Sequence, residues 1–136
     1  MKIFLSIVPP TTTAQEHQVK VVKGRPFFYD PPKVKYAREV LRTNLRLHRP
    51  PAPLTGPVKL RAVWYFPKGK SHKDGEWKIT RPDTDNLQKL LKDCMTAEGF
   101  WKDDAQVAVE MVEKKWSADP VGIGIEIELL EGGSDG

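Results

Sequence analysis

Apolar and polar residues alternate at Ile3, Leu5 and Ile7, the period of a half-buried strand, and predict a first β-strand over residues 2–8 that Pro9-Pro10 ends. Residues 11–18 are polar. The apolar segments 19–22 and 26–29 flank Lys23-Gly24-Arg25 and read as a short hairpin arm. Asp30-Pro31 then supplies an N-cap and a proline for the first helical position, predicting a helix to about His48, before Pro50-Pro51-Ala52-Pro53. In it Tyr36, Ala37, Val40, Leu41, Asn44 and Leu45 share one side. Val58, Leu60, Ala62, Trp64 and Phe66 alternate strictly and predict a strand, whereas the Lys- and Gly-rich residues 67–80 read as a mobile loop. Leu87, Leu90, Leu91, Cys94 and Met95 form the core face of a second helix, which begins near Asp83–Asp85 and ends at Glu98 with Gly99 in the C′ position. After a turn at 100–104, residues 106–116 read as a strand with Val107, Val109 and Met111 inward. Val121, Ile123, Ile125, Ile127 and Leu129 mark a last strand, and 131–136 a polar tail. The expected fold class is α+β, one domain over 1–130 with a mixed β-sheet of about four main strands and two helices packed on it.

Composition narrows the class. With 136 residues, 39% hydrophobic and 29% charged, the chain is of ordinary single-domain make-up. The longest apolar run, 121–130, is broken by glycine and glutamate and is too short to span a bilayer, so no membrane partner is expected. The apolar start stops at Val8 without a small-residue cleavage site, which favours a strand over a signal peptide. The lone Cys94 excludes an intrachain disulfide, has no second cysteine for a zinc or redox motif, and suits a core thiol in the cytosol.

Charge is segregated. Residues 1–81 carry 17 Lys and Arg against 5 Asp and Glu, and residues 82–136 carry 5 against 13, so net charges of +12 and −8 combine to +4. A basic half suits a polyanionic partner, and an acidic half suits a local site. On the first helix Lys35, Arg38, Arg42, Arg46 and Arg49 fall on a stripe about 80° wide, with only Glu39 at its edge. That stripe favours phosphate contact over a plain solvated face, which would mix in more glutamate. The loop at 67–80, with Lys70, Lys73 and Trp77, and with Arg81 just beyond, is equally suited to gripping nucleic acid and to lying solvated on one anchoring aromatic.

The candidate chemistry lies between Arg81 and Gln106. Asp83 and Asp85 stand one residue apart, Lys89 follows four residues later, and Asp103-Asp104 lies past Gly99. Carboxylates gather divalent cations, the usual means of activating water against a phosphodiester. Each part also has a plain structural reading: Asp83 as an N-cap, Asp85 as a first-turn acid, Lys89 as an i,i+4 partner of Asp85 or Asp93, and the Asp103-Asp104 pair as solvated turn acids. A calcium loop starting at Asp83 fails, because Gln88 and Cys94 occupy the positions that need glycine and glutamate. The three histidines lack ligand spacing, and no Ser/His/Asp or glycine-rich phosphate motif appears.

The element R-P-D-T-D-N-L-Q-K followed by G-F-W-K-D-D-A-Q resembles the RusA family of Holliday-junction resolvases, and the order of strands and helices from about residue 1 to 130 is similar as well. The resemblance implies a homodimeric, Mg²⁺-dependent endonuclease (Mn²⁺ as a substitute) that makes paired nicks in four-way junction DNA during recombination and repair. It implies metal-binding roles for Asp83, Asp85 and Asp104 and a catalytic role for Lys89, with Asp103 and Asn86 as neighbouring residues of less defined role. Two other readings stay open: a non-catalytic junction-binding module whose acids are caps, and a nuclease of the same chemistry that acts on flaps or RNA.

Overall fold

In the computed structural model of this protein, residues 1–13, 18–22, 24–29 and 32–131 are described. The expected Asp30-Pro31 cap and residues 132–136 of the expected tail lie outside them. The elements are β1 (Lys2–Leu5), β2 (Gln18–Val22), β3 (Arg25–Tyr29), α1 (Pro32–Arg46), β4 (Val58–Pro67), α2 (Thr84–Ala97), a short 3₁₀ turn (Asp104–Gln106), β5 (Val107–Ser117) and β6 (Gly122–Leu129). β2 and β3 pair as a separate antiparallel arm turning at Gly24. The other four strands form one mixed sheet in the order β1-β6-β4-β5, and the fold is α+β.

β4 is the spine of this sheet. It pairs antiparallel with β6 on one side and parallel with β5 on the other. Its alternation works as expected: Val58, Leu60, Ala62, Trp64 and Phe66 are all buried. They meet Ile3 and Leu5 of β1, Ile123, Ile125 and Ile127 of β6, and the apolar faces of α1 and α2. Parallel neighbours cannot be joined by a tight turn, so the chain must cross over between β4 and β5, and α2 is that crossover. Its face of Leu87, Leu90, Leu91, Cys94 and Met95 is buried as the spacing predicts.

Three expectations change in the structure. On α1 the buried residues are Val34, Ala37, Leu41 and Leu45, while Tyr36 is 69% exposed, so the apolar stripe is narrower than the helical wheel suggested. On β5 only Val107 of the expected inward set of Val107, Val109 and Met111 packs on the core. Val58 pairs with Val107 but Lys59 pairs with Val109, so Ala108 is an extra residue and the alternation flips there. Beyond this bulge Val112 and Trp116 pack on the core, and Val109 and Met111 face solvent. The third change concerns the loop at 67–80, which is fastened to β5 rather than loose. Gly75 N donates to Trp116 O at 2.8 Å, Trp116 N to Glu76 O at 2.8 Å, and Lys78 N to Lys114 O at 3.0 Å. The His72 ring stacks on Trp116 with centroids 4.1 Å apart, and the buried Lys78 ammonium lies over the same indole. Burial, with nearby Lys114, lowers the Lys78 pKa from its ordinary value.

The end of α2 fixes the two helices to each other. Gly99 at φ 80° lets its N–H reach Thr96 O and the Phe100 N–H reach Met95 O, a Schellman closure that only a left-handed residue permits. The preceding Glu98 is 3% exposed, and its carboxylate accepts from Arg42 Nε at 2.7 Å and from Arg46 Nε and Nη2 at 2.8 and 3.1 Å. The Arg46 hydrogen bonds, then those of Arg42 and the two charges, outweigh burial and hold the Glu98 carboxyl down to about 2. A carboxyl with its pKa depressed on folding contributes stability above its unfolded pKa, and loses it as pH falls through the folded value. We therefore expect Glu98→Gln to lower the thermal midpoint at pH 7 by roughly 5 °C. The gap between variant and wild type should close as the pH of the melts is lowered from about 5 toward 2.

Candidate active site

α2 begins just past the loop fastened to β5, with the Arg81–Pro82 peptide cis and Asp83 at the N-cap position. The cap reading of Asp83 fails in one respect: its backbone is extended as a cap requires, yet its side chain makes no capping hydrogen bond. Its carboxylate is exposed at the positive end of the α2 dipole, together with that of Asp85 in the first turn.

Asp103 and Asp104 separate in role. Asp103 caps the 3₁₀ turn, its Oδ1 accepting from Ala105 N at 2.8 Å, and Gln106 Oε1 returns the favour to the Asp103 N–H at 3.2 Å. Gln106 Nε2 then reaches the Leu54 and Gly56 carbonyls and anchors the turn to the linker that precedes β4. Asp104, the first residue of the turn, lines a cleft.

That cleft, of about 400 Å³, is bounded by Thr84, Asp85, Gln88, Lys89, Lys92, Asp104, Glu110 and Val112. The structure thus brings Asp85, Lys89 and Asp104 to one place, while Asp83 stands outside the lining and Asn86 is half-buried beside it in sequence. Lys89 pairs with Asp93 at 3.6 Å, not with Asp85. Glu110 was missed by sequence reasoning, because the Ala108 bulge reverses which residues of β5 face α2. Its Oε1 accepts from Gln88 Nε2 at 3.0 Å and its Oε2 from Lys92 Nζ at 3.1 Å. Gln88 is itself buried and accepts from Trp64 Nε1 at 3.3 Å, so a polar chain runs from the centre of the core to the cleft.

Among the described residues, no three His, Cys, Asp or Glu side chains form a ready ligand cluster. The donor chemistry is nevertheless specific: the cleft offers carboxylate oxygens from Asp85, Asp104 and Glu110, with no thiolate or imidazole, a set that fits a hard divalent cation.

The basic residues divide by surroundings. Arg42 and Arg46 are committed in part to Glu98, and Arg38 is half-buried. Lys35, Arg49, Lys70, Lys73 and Arg81 are exposed. Lys35, Arg38 and Arg42 line a shallow groove between α1 and α2 that also contains Asp93, the partner of Lys89. The α1 stripe therefore leads toward the lysine of the cleft.

An acidic cleft holding one exposed lysine, on a domain with a basic helix face, has the chemistry that metal-assisted phosphodiester hydrolases use. The chain belongs to the RusA family: the family model described as Endodeoxyribonuclease RusA matches residues 8–128. A crossover junction endodeoxyribonuclease of Lactococcus phage r1t is 33% identical over 118 residues, covering 85% of this chain and 88% of that one. Bacillus subtilis YqaN is 32% identical over 108 residues, covering 71% and 75%. The crossover junction endodeoxyribonuclease RusA of Escherichia coli K12 is 40% identical over 76 residues, covering 56% and 52%. Membership in this nuclease family carries a divalent-metal requirement.

The division of labour between the adjacent acids is open to test. Asp103→Ala should cost about 1 kcal/mol of stability through the lost cap. Asp103→Asn, which keeps an acceptor oxygen, and Asp104→Asn should both melt within about 1 °C of wild type in the same scan.

Proposed function

We propose that this protein is a Mg²⁺-dependent, structure-specific endodeoxyribonuclease of the cytoplasm that resolves four-way DNA junctions by paired nicks, acting as a homodimer. The observation that carries the reading is the meeting of Asp85, Lys89 and Asp104 in one cleft, continuous through Asp93 with the basic groove of α1. Asp85 and Asp104, with Asp83 two residues before Asp85, would hold the cation, and Mn²⁺ has the same oxygen preference. The bound ion supplies Lewis-acid stabilisation of phosphoryl oxygens and a lowered pKa for water.

The rest falls to the chain's own groups. Lys89 is 57% exposed and held only by a 3.6 Å contact with Asp93, so its ammonium is free to swing onto a non-bridging phosphate oxygen as charge grows there. The exposed Lys35, Arg49, Lys70, Lys73 and Arg81, with the outer nitrogens of Arg38, Arg42 and Arg46, take backbone phosphates and orient the duplex arms without reading bases. Asn86 and Asp103 act at one remove, Asp103 by fixing the turn on which Asp104 sits. One chain provides one cleft, so symmetrical cutting of opposed strands needs a two-fold pair.

The decisive experiment incubates purified protein with a labelled synthetic four-way junction, a flap, a duplex and an RNA duplex, with and without Mg²⁺. Asp85→Asn and Asp104→Asn should each reduce junction cleavage by at least about 100-fold, while gel-shift affinity without metal stays within about threefold. Undiminished cleavage by Asp85→Asn would remove the assignment. Preferential cutting of flaps or RNA would redirect it, and binding without nicking in any divalent metal would favour an architectural module.

Electrostatic docking has its own signature. Replacing Lys35 or Arg49 with Ala should weaken binding to junctions of any sequence. Each change should reduce the slope of log affinity against log salt by about 1, measured by fluorescence anisotropy from 50 to 200 mM salt.

A further inference from the structure

β5 begins directly after the turn that carries Asp104, and ten residues beyond that aspartate it presents Lys114. This lysine forms no ion pair among the described residues. Its Nζ instead donates to two backbone carbonyls of one short segment, Thr80 O at 2.8 Å and Pro82 O at 2.8 Å. Its own carbonyl accepts from Lys78 N at 3.0 Å, and Lys78 Nζ donates to Thr80 Oγ1 at 2.6 Å. The segment from Lys78 to Pro82 is therefore stitched to β5 by both the main chain and the side chain of Lys114. Pro82 is buried, and the next residues are Asp83, Thr84 and Asp85.

Lys114 is half-buried, and an ammonium drawn partly out of water needs oxygens in place of the water it loses. Here two carbonyl dipoles supply them, and both lie on the three residues before Asp83. Ordinary loops close without such a device, and solvent lies near at hand for an ammonium on a long stem. The contact ties the residues just before Asp83 to β5, the strand that follows Asp104 and is itself in parallel register with β4.

We propose that Lys114 is a positioning residue of the nuclease site, its ammonium registering the segment that carries Asp83 and Asp85 against the strand that carries Asp104. This rests on the metal-assisted nuclease reading given above. Lys114 does not line the cleft. It acts through the carbonyls of Thr80 and Pro82, and partners at that remove from a metal site commonly govern affinity and rate together.

The test compares Lys114→Met, which keeps the stem and removes the donors, with Lys114→Arg, which can still donate to two carbonyls. Three quantities are measured on each: single-turnover cleavage of the four-way junction across a Mg²⁺ series, Mn²⁺ affinity by calorimetry without DNA, and junction binding without metal. Lys114→Met should cleave about 10- to 100-fold more slowly and bind Mn²⁺ about tenfold more weakly, with junction affinity little changed. Lys114→Arg should recover most of both losses. If Lys114→Met does not fold, Lys114→Gln, able to serve one carbonyl, replaces it and should fall between the wild type and complete loss.

Wild-type Mn²⁺ affinity and cleavage in a folded Lys114→Met or Lys114→Gln would overturn the proposal. So would equal losses in the Met and Arg variants accompanied by equal drops in melting temperature, since these would mark a role in the fold alone. Asp85→Asn separates this failure from that of the underlying reading. If Asp85→Asn is inactive while Lys114→Met is normal, only the positioning role falls; if Asp85→Asn cleaves normally, the site assignment falls with it.

Discussion

The parallel pairing of β4 with β5 is the constraint from which the site follows. Parallel strands oblige the chain to leave β4, travel back and re-enter beside it. Here the excursion contains the fastened loop, α2 and the 3₁₀ turn, and every acid of the cleft sits on it or at its re-entry. Asp85 stands where α2 starts, Asp104 where the chain rejoins the sheet, and Glu110 just inside β5. Two carboxylates separated by nineteen residues in sequence become neighbours because the crossover must return.

Within that frame, polar contacts do the fine positioning. Trp64 in the core holds Gln88, Gln88 holds Glu110, and Lys92 completes the carboxylate's partners. At the other end of α2, Glu98 gathers Arg42 and Arg46, so α1 is set against α2 by a buried charge with its hydrogen bonds met. That contact also turns part of the basic stripe inward. Arg42 and Arg46 hold the helices together and still border the surface, so structural and electrostatic duties share the same guanidinium groups, whose several donors allow both.

Much of this was legible in the sequence. The strict alternation from Val58 to Phe66 and the Leu87–Met95 spacing gave β4 and α2 as elements, though not their places as spine and crossover, because deep burial on one face leaves a clean period. The G-F-W-K-D-D-A-Q motif gave the family. Reading failed where a single residue changes phase: Ala108 reverses β5, turning Val109 and Met111 outward and Glu110 inward, and no local feature of an alanine announces a bulge. It failed again at residues 67–80, where the lysines suggested solvent. One of them, Lys78, is buried over aromatic rings, which depends on Phe66 and Trp116, distant in the chain. The difference between Asp103 and Asp104 came from the family resemblance alone, since locally two identical neighbours are told apart only by the turn that follows.

The fastening of residues 75–78 along β5 has a consequence for how the protein behaves in concentrated solution. β5 is the outer strand of the sheet, eleven residues long, with Val109 and Met111 on its solvent side. Such a border offers a row of unsatisfied amides to any passing strand, and long, apolar borders of this kind seed ordered aggregates. The bonds to Lys114 and Trp116 occupy the C-terminal half of that row, and the bulge at Ala108 distorts the other half. At the opposite border β1 is only four residues long. The sheet is thus closed to indefinite growth at both margins, and a single-stranded intruder would find no continuous track along which to zip.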